Sequence, residues 1–502
     1  MTGEVEERSV GRERGERAAP GAGTDAGRRL VLAACTMAVF MAAVEATIVA
    51  TAMPSIVGTL GGFDLYGWVF AAYLLASSVT IPIYGKLADL HGRKPIFFLG
   101  AVIFLAGSTL CGFATNMVSL ASCRALQGLG AGSILPLAFT IVADIYPARE
   151  RAGAQAVISV VWGMAAVAGP LLGAFLVSTL GWPFVFWVNL PVGAAAMLFM
   201  GLFFTETAPH QARKIDVGGA LLLACGSGAL VLALLEMHAL GWLAAPLLGL
   251  AALLLGLLAR HERRAAEPMV PLHLWRNRTI LVVNLASLPI GAMMMGVSAF
   301  LPPYVQGVMG RSTLIAGVSL AAMSIGWSAA SPLAARLMHR TSYRANAITG
   351  GLGMVAGALL LLLMRPDSGA LWAAAGAGLM GIGLGFAINT FTIAAQGAVG
   401  PADRGVATSS TVFTRAIGQC FGTALLGAVL NLGLAERLAS SGGALDRLML
   451  HEGNTAELAA LTAAAASALH GVYVAVLLMA LLGLVGTMLM PAGHRPEREP
   501  GH

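Results

Sequence analysis

Three ionisable residues, Glu45, Arg124 and Arg415, stand inside long apolar runs of a 502-residue chain that is 57% hydrophobic and only 11% charged. A charge at the centre of a hydrocarbon layer costs about 2.5–3.5 kcal/mol on insertion scales, so such residues usually serve ion pathways, proton relays or ligand contacts. Glu45 is the one acid well inside the N-terminal apolar runs. It lies about 15 residues into its run, ~22 Å from the edge, and Arg124 lies about seven residues into its own from the other side, ~10 Å deep. In a ~30 Å core these depths are similar, which permits an ion pair. A carboxylate there can take up and release a proton, and a change in its distance from Arg124 would switch its protonation. The structural alternative is a static buried salt bridge. Arg415, about nine residues into its run and ~14 Å deep, could contact an anionic part of a bound molecule or brace helix-end carbonyls.

The elements that must position these residues are transmembrane helices. Apolar runs long enough to span a bilayer fall near residues 30–53, 66–87, 95–114, 117–143, 153–178, 184–204, 217–236, 242–259, 279–300, 313–336, 345–364, 370–396, 406–434 and 468–490. With the N-terminus in the cytoplasm, 24 of the 30 Lys and Arg residues fall on the cytoplasmic side and four, Arg311, Arg365, Arg437 and Arg447, on the outer side. The positive-inside rule therefore predicts that both termini are cytoplasmic. No short apolar stretch with a small-residue cleavage site precedes Leu30, so the first run is expected to be retained, and residues 1–29 read as a disordered tail. The net charge of +6 is spread over loops rather than gathered on one face, which argues against a nucleic-acid partner. The five cysteines all lie in apolar spans, which disfavours a disulfide framework or a zinc site. The GxGxxG at 376–381 follows no strand and reads as close helix packing, and no GxxxxGK[ST] sequence occurs. No metal, cofactor or enzymatic activity is expected.

The segment GKLADLHGRK, residues 85–94, places five ionisable side chains between two apolar runs. Gly85 and Gly92 suit a tight turn and close helix approach, and Asp89, Arg93 and Lys94 suit charge-assisted bonds to helix ends. This segment resembles the signature loop G-x-L-A-D-x-x-G-R-K of the major facilitator superfamily. EATIVATAMPSI (45–56), RALQGLGAG (124–132), AGPLLGA (168–174), GWPFVFWVNLPVG (181–193) and GVATSSTVFTRAIGQCFGTALLGAVLN (405–431) are similar to motifs of its fourteen-span drug:proton antiporters, and the resemblance runs from about 30 to 490. Glu45 stands where that group usually has Asp, Pro183 where it often has Arg, and Ala165 and Ala174 where it has Gly.

The resemblance implies an all-α polytopic membrane protein with the major facilitator fold. Its parts would be a cytoplasmic tail (1–29), a six-helix bundle (30–205), two inserted helices with cytoplasmic flanks (206–278), a second six-helix bundle (279–491) with an outer loop (435–467), and a cytoplasmic tail (492–502). An internal echo of GKLAD by SPLAA (331–335) and of PARERAGA by PADRGVA agrees with paired halves. Glu45 and Arg124 would couple protons. Gly85, Asp89, Gly92, Arg93 and Asp144 would gate the cytoplasmic side, with Asp89 facing the start of span 13. Gly169, Pro170 and Gly173 would bend or thin span 5. Met294, Phe386, Phe413 and Arg415 are candidates for the substrate cavity. The function so implied is proton-coupled efflux of hydrophobic, cationic or amphipathic drugs by a monomer in the bacterial cytoplasmic membrane, its partners being a small-molecule substrate, protons and lipid. The alternatives are a dedicated exporter of one natural product or metabolite, an uptake permease, and a non-transporting receptor or scaffold. The outer segment from Glu436 to Leu469 has room for a short Ala-rich amphipathic helix, as in AELAALTAAAASAL (456–469).

Overall fold

The computed structural model describes residues 25–146, 148–206, 216–265, 274–338, 340–399, 404–435 and 455–491. These form the long helices α1 (Asp25–Leu60), α2 (Tyr66–His91), α3 (Arg93–Gly112), α4 (Met117–Ile145), α5 (Ala148–Thr179), α6 (Asn189–Phe203), α7 (Val217–Leu235), α8 (Ala244–Glu262), α9 (Arg278–Pro303), α10 (Thr313–Met338), α11 (Tyr343–Leu362), α12 (Ala370–Gly397), α13 (Arg404–Ala435) and α14 (Thr455–Leu489). A single helical turn, Phe184–Trp187, precedes α6. Helices are the outcome because a chain surrounded by lipid must satisfy its backbone N–H and C=O groups internally. Thirteen of them are long and apolar enough to cross a membrane. In α5 the apolar part is the shorter run Gly163–Thr179, because its first turns carry the polar ARERAGAQ. Starts are capped where the sequence offers an oxygen: Asn116 accepts from the Ser119 N–H at 2.8 Å, and Ser342 from the Ala345 N–H at 3.1 Å.

Two expectations change. The charged segment 85–94 is helix rather than loop: α2 continues to His91, Gly92 alone leaves the helix at φ +95°, and α3 begins at Arg93. Nothing in KLADLH breaks a helix, whereas the positive φ at the junction suits glycine. The Ala-rich segment before the last span is not a separate helix either. It is continuous with that span as the 35-residue α14, because alanine is the strongest helix former and no breaker intervenes.

Packing follows a repeat. Helix α1 lies on α5 and α6, α2 on α4, and α3 on α4 and α6; adding eight to each number gives the packing of α9 to α14. The two halves meet along α1–α9, α2–α13 and α5–α10, while α7 and α8 pair with each other and α7 lies against α2 and α13. Glycine permits the closest of these approaches: a Cβ at Gly317 of α10 would lie 2.7 Å from the Pro170 carbonyl oxygen of α5. Leu235 of α7 fills the notch between Gly67 and Gly427, one from each half.

The halves are joined at the face opposite the start of α1, here the far side. Helix α9 ends in Pro302 and Pro303, and the missing N–H of Pro303 leaves the Ala299 carbonyl without its helical partner. The Tyr66 hydroxyl, reaching from α2 in the other half, donates to that carbonyl. Tyr473 similarly donates to the Phe300 carbonyl at 3.4 Å, since the Tyr304 N–H has turned to Leu301. Asn431 Nδ2 donates to the Asp64 carbonyl at 3.1 Å, again between halves. On the tail side, where α1 begins, a core of Val31, Tyr84, Phe97, Ile141 and Met200 belongs to the first half only, and Gly85 faces open space. Tyr66→Phe should shift the balance of states toward far-side opening by about two- to twelve-fold, the range for one net hydrogen bond. Distances between spin labels at the exposed far-side positions Thr59 and Leu432 would report it; an unchanged distribution would remove Tyr66 from the seal.

Candidate functional site

Glycines on α4 bring Arg124 into the first half. Gly128 and Gly132 lie against α2 backbone and Gly130 against α3; a Cβ at Gly132 would sit 2.7 Å from the Ser77 carbonyl oxygen. At that spacing the Arg124 guanidinium is 1% exposed and reaches Glu45 on α1, itself fully buried. Arg124 Nη1 donates to Glu45 Oε1 and, at 2.6 Å, to Gln127 Oε1, while Arg124 Nε donates to the Val69 carbonyl at 3.2 Å. The guanidinium carbon also stands 4.1 Å from the centre of the Tyr73 ring, a cation–π arrangement. Asn189, at the start of α6, donates to Glu45 Oε2 at 2.6 Å, and both Asn189 and Gln127 donate to Ser108 Oγ, at 3.0 and 3.1 Å. Ser108 in turn donates to the Phe186 carbonyl at 2.8 Å. Glu45 and Arg124 are thus brought together as their depths allowed. Gln127, Asn189 and Ser108 complete the network and were not singled out from sequence. The first two had a signal, as amides within quoted motifs in apolar runs; Ser108 had none.

The signature segment forms a second polar cluster on the tail side. Arg93 Nε pairs with Asp144 Oδ2 at 2.7 Å, joining the start of α3 to the end of α4. Glu206, just past α6, accepts from the Arg93 and Lys94 N–H groups at 2.5 and 3.3 Å, placing a carboxylate at the positive end of α3. Lys94 Nζ returns the favour, donating to the Gly201 and Phe204 carbonyls at the end of α6, at 2.8 and 2.6 Å. A Cβ at Gly92 would lie 2.5 Å from Glu206 Oε2, so glycine is required there by space as well as by φ. At Gly85 a Cβ would meet nothing within 4 Å, so no close approach occurs at that position in this conformation. The Asp89 side chain lies outside the described residues.

The span 5 residues act through packing. Helix α5 runs as one element through Pro170. Cβ atoms at Gly169 and Gly173 would lie 3.1 and 2.9 Å from the Val44 and Ile48 carbonyl oxygens, so both admit α1. The four cavity candidates separate. Phe386 is 5% exposed and packed against Ala330 and Ala334 of α10, filling the gap between α10 and α12. Phe413 lies with Val79, Leu223 and Ile417 at the seam of α2, α7 and α13. Met294 is half-buried with its Sδ 3.9 Å from Gln419 Nε2, and Arg415 is half-buried nearby on α13. Among the described residues no group of three or more His, Cys, Asp or Glu could hold a metal ion.

Removing one partner of a buried ion pair leaves the other charge bare and costs about 3–5 kcal/mol. Both Arg124→Leu and Glu45→Gln should therefore lower thermal stability in detergent. Arg124→Leu should do so the more, because it also loses the bonds to Gln127 and Val69 and the Tyr73 contact, whereas the amide oxygen of the Glu45→Gln variant can still accept from Arg124. Asn189→Ala should cost about 1–3 kcal/mol, the penalty for a buried acceptor losing its donor. Equal melting temperatures for the natural protein and Arg124→Leu would refute the network's structural role.

The family model of the Major Facilitator Superfamily matches residues 35–423. Among curated proteins, the chain is 37% identical over 413 residues to the multidrug transporter protein MdtP of Bacillus subtilis, covering 82% of this chain and 76% of that one. It is 32% identical over 415 residues to the multidrug resistance protein Stp of Mycobacterium tuberculosis, covering 82% and 77%. Among solved structures, a bacterial homologue of the human lysosomal transporter Spinster, inward-facing and unoccupied, superposes with a TM-score of 0.65 at 17% identity, over 93% of this chain and 98% of that one. The D-xylose–proton symporter does so with a TM-score of 0.63 at 14% identity, over 92% and 98%. With its packing repeated at an interval of eight helices, the chain has the major facilitator fold and is a multi-pass membrane protein of the Major Facilitator Superfamily.

Proposed function

We propose that the protein exports amphipathic, hydrophobic compounds from the cytoplasm across a bacterial cytoplasmic membrane by alternating access, driven by proton entry. The names of its multidrug relatives support efflux of drugs, and the Lys and Arg distribution supports a cytoplasmic tail side. The conformation sealed at the far side is then the inward-open one. The single observation that carries the coupling is the Glu45 carboxylate, fully buried and held by Arg124 and Asn189 within one half.

In this conformation both Glu45 oxygens accept hydrogen bonds, from Arg124 and from Asn189, the pairing expected after a proton has left for the cytoplasm. Rocking to the outward-open form would move α1 against α4, part the pair and let Glu45 take up a proton from outside. Each elementary charge crossing inward contributes about 2.3 kcal/mol per 100 mV, enough to drive uphill export. The signature segment gates the cycle: the Arg93–Asp144 pair fixes the ends of α3 and α4, and Asp89 would engage the start of α13 when the tail side closes. Gly85, open here, is the position where the second half would come close.

Efflux of fluorescent lipophilic dyes from proteoliposomes under an imposed pH gradient tests the proposal. The natural protein should show gradient-driven efflux, and Glu45→Gln should lose the dependence on pH while remaining folded in the membrane. Gradient-driven efflux that persists unchanged in Glu45→Gln would eliminate Glu45 as the coupling site. Gly85→Val, harmless in the tail-open form, should hinder tail-side closure and slow turnover, as should Asp89→Asn. State-specific cross-linking across the tail side would register both, and identical cross-linking in the variants and the natural protein would discount the gate.

A further inference from the structure

We infer that Arg415 receives an anionic group of the cargo, so that the preferred substrates are amphipathic compounds carrying a carboxylate or sulfonate rather than cations. The inference rests on the export reading and names the class of compound exported.

Arg415 sits in the transmembrane part of α13, and its guanidinium has no hydrogen-bond or ion-pair partner among the described residues. It shares a helix face with Thr408, Val412 and Gln419, all half-exposed, and with the buried Thr411, whereas Ser410, Thr414, Ile417 and Cys420 on the other faces are buried. Because α13 is surrounded by α2, α7, α9, α12 and α14, a half-exposed polar stripe on it opens into the interior rather than toward lipid. Its neighbours fit that position: Gln396 Nε2 of α12 donates to Thr408 Oγ1 at 3.0 Å, and Gln419 adjoins Met294 of α9. The stripe thus joins one cation, an amide and a polarisable thioether, a surface for a molecule with an anionic head and an apolar body.

Helices α9 to α13 carry no carboxylate that could neutralise it from within the bilayer. Between residues 279 and 435 the only acids are Asp367 and Asp403. Asp367 lies between α11 and α12 on the far side, and Asp403 lies outside the described residues, before the first residue of α13. The acid inside the first half, Glu45, is fully buried and saturated by Arg124 and Asn189. A cation entering from the tail side would therefore meet repulsion from Arg415 and find no free acid among the described residues at membrane depth. A guanidinium left bare in such a place is costly, and an anion brought by the cargo removes that cost in the state that binds it. Export of an anion against a proton also moves positive charge inward on both legs, so the membrane potential as well as the pH gradient would drive it.

The test uses proteoliposomes of the full chain loaded with three derivatives of one fluorophore: a pyrene sulfonate, an uncharged pyrene amide and a pyrenyl trimethylammonium. The natural protein should export the sulfonate fastest under a pH gradient. Arg415→Gln should slow the sulfonate by about ten- to a hundred-fold, the range for a charge-assisted hydrogen bond. The same variant should leave the amide within about twofold, and Arg415→Lys should restore much of the sulfonate rate. Amide export retained in Arg415→Gln shows that the variant is folded. Preferential export of the ammonium compound, or a sulfonate rate equal in Arg415→Gln and the natural protein, would overturn the inference and leave the export reading standing. Gradient-independent release of all three by the natural protein would overturn both. Replacing chloride by a large hydrophilic anion should not change amide export; a fall there would put an inorganic anion on Arg415 in place of the cargo and overturn the inference.

Discussion

The bilayer core offers no water to a charged or polar group, so each one buried there has to be answered by another part of the chain. Arg124 shows how far that requirement reaches. Its guanidinium is satisfied by Glu45 from α1, Gln127 from its own helix, the Val69 carbonyl of α2 and the Tyr73 ring, and Glu45 is completed by Asn189 at the start of α6. One ion pair therefore fixes four helices of the first half, and Ser108 ties in a fifth. The glycines of α4 follow from the same demand, because only a bare backbone lets α2 and α3 come close enough to exclude water from the pair.

The boundary between the halves obeys the rule in a different form. Where Pro303 removes a backbone donor, the freed carbonyl of Ala299 is answered by a tyrosine from the opposite half. A helix defect on one side thus becomes an attachment point for the other. On the tail side the signature segment satisfies its charges within the first half: Arg93 by Asp144, the start of α3 by Glu206, the end of α6 by Lys94. The tail-side ends of α3, α4 and α6 are thereby tied to one another without help from the second half. Arg415 departs from this pattern, and a charge unanswered among the described residues is the natural place for a ligand to answer it.

The sequence by itself determined the helices and their approximate ends, because apolar length and bilayer thickness leave a spanning chain few alternatives. It also marked Glu45, Arg124 and Arg415, since charge stands out against an apolar run, and the motif glycines, since each resembles a packing position of the superfamily. What it left open depended on contacts between helices distant in the chain. Asn189 lies 144 positions from Glu45, and Glu206 lies 113 from Arg93, so neither pairing is written in local spacing. The role of Phe386 turned on which neighbour its helix face met, and a Phe reads the same whether it lines a cavity or fills a gap between α10 and α12. The segment 85–94 became helix because the helix ends only where glycine permits it, at Gly92. Which face joins the two halves was decided by tertiary structure alone, because the Tyr66–Ala299 bond links residues 233 positions apart and no local spacing announces it.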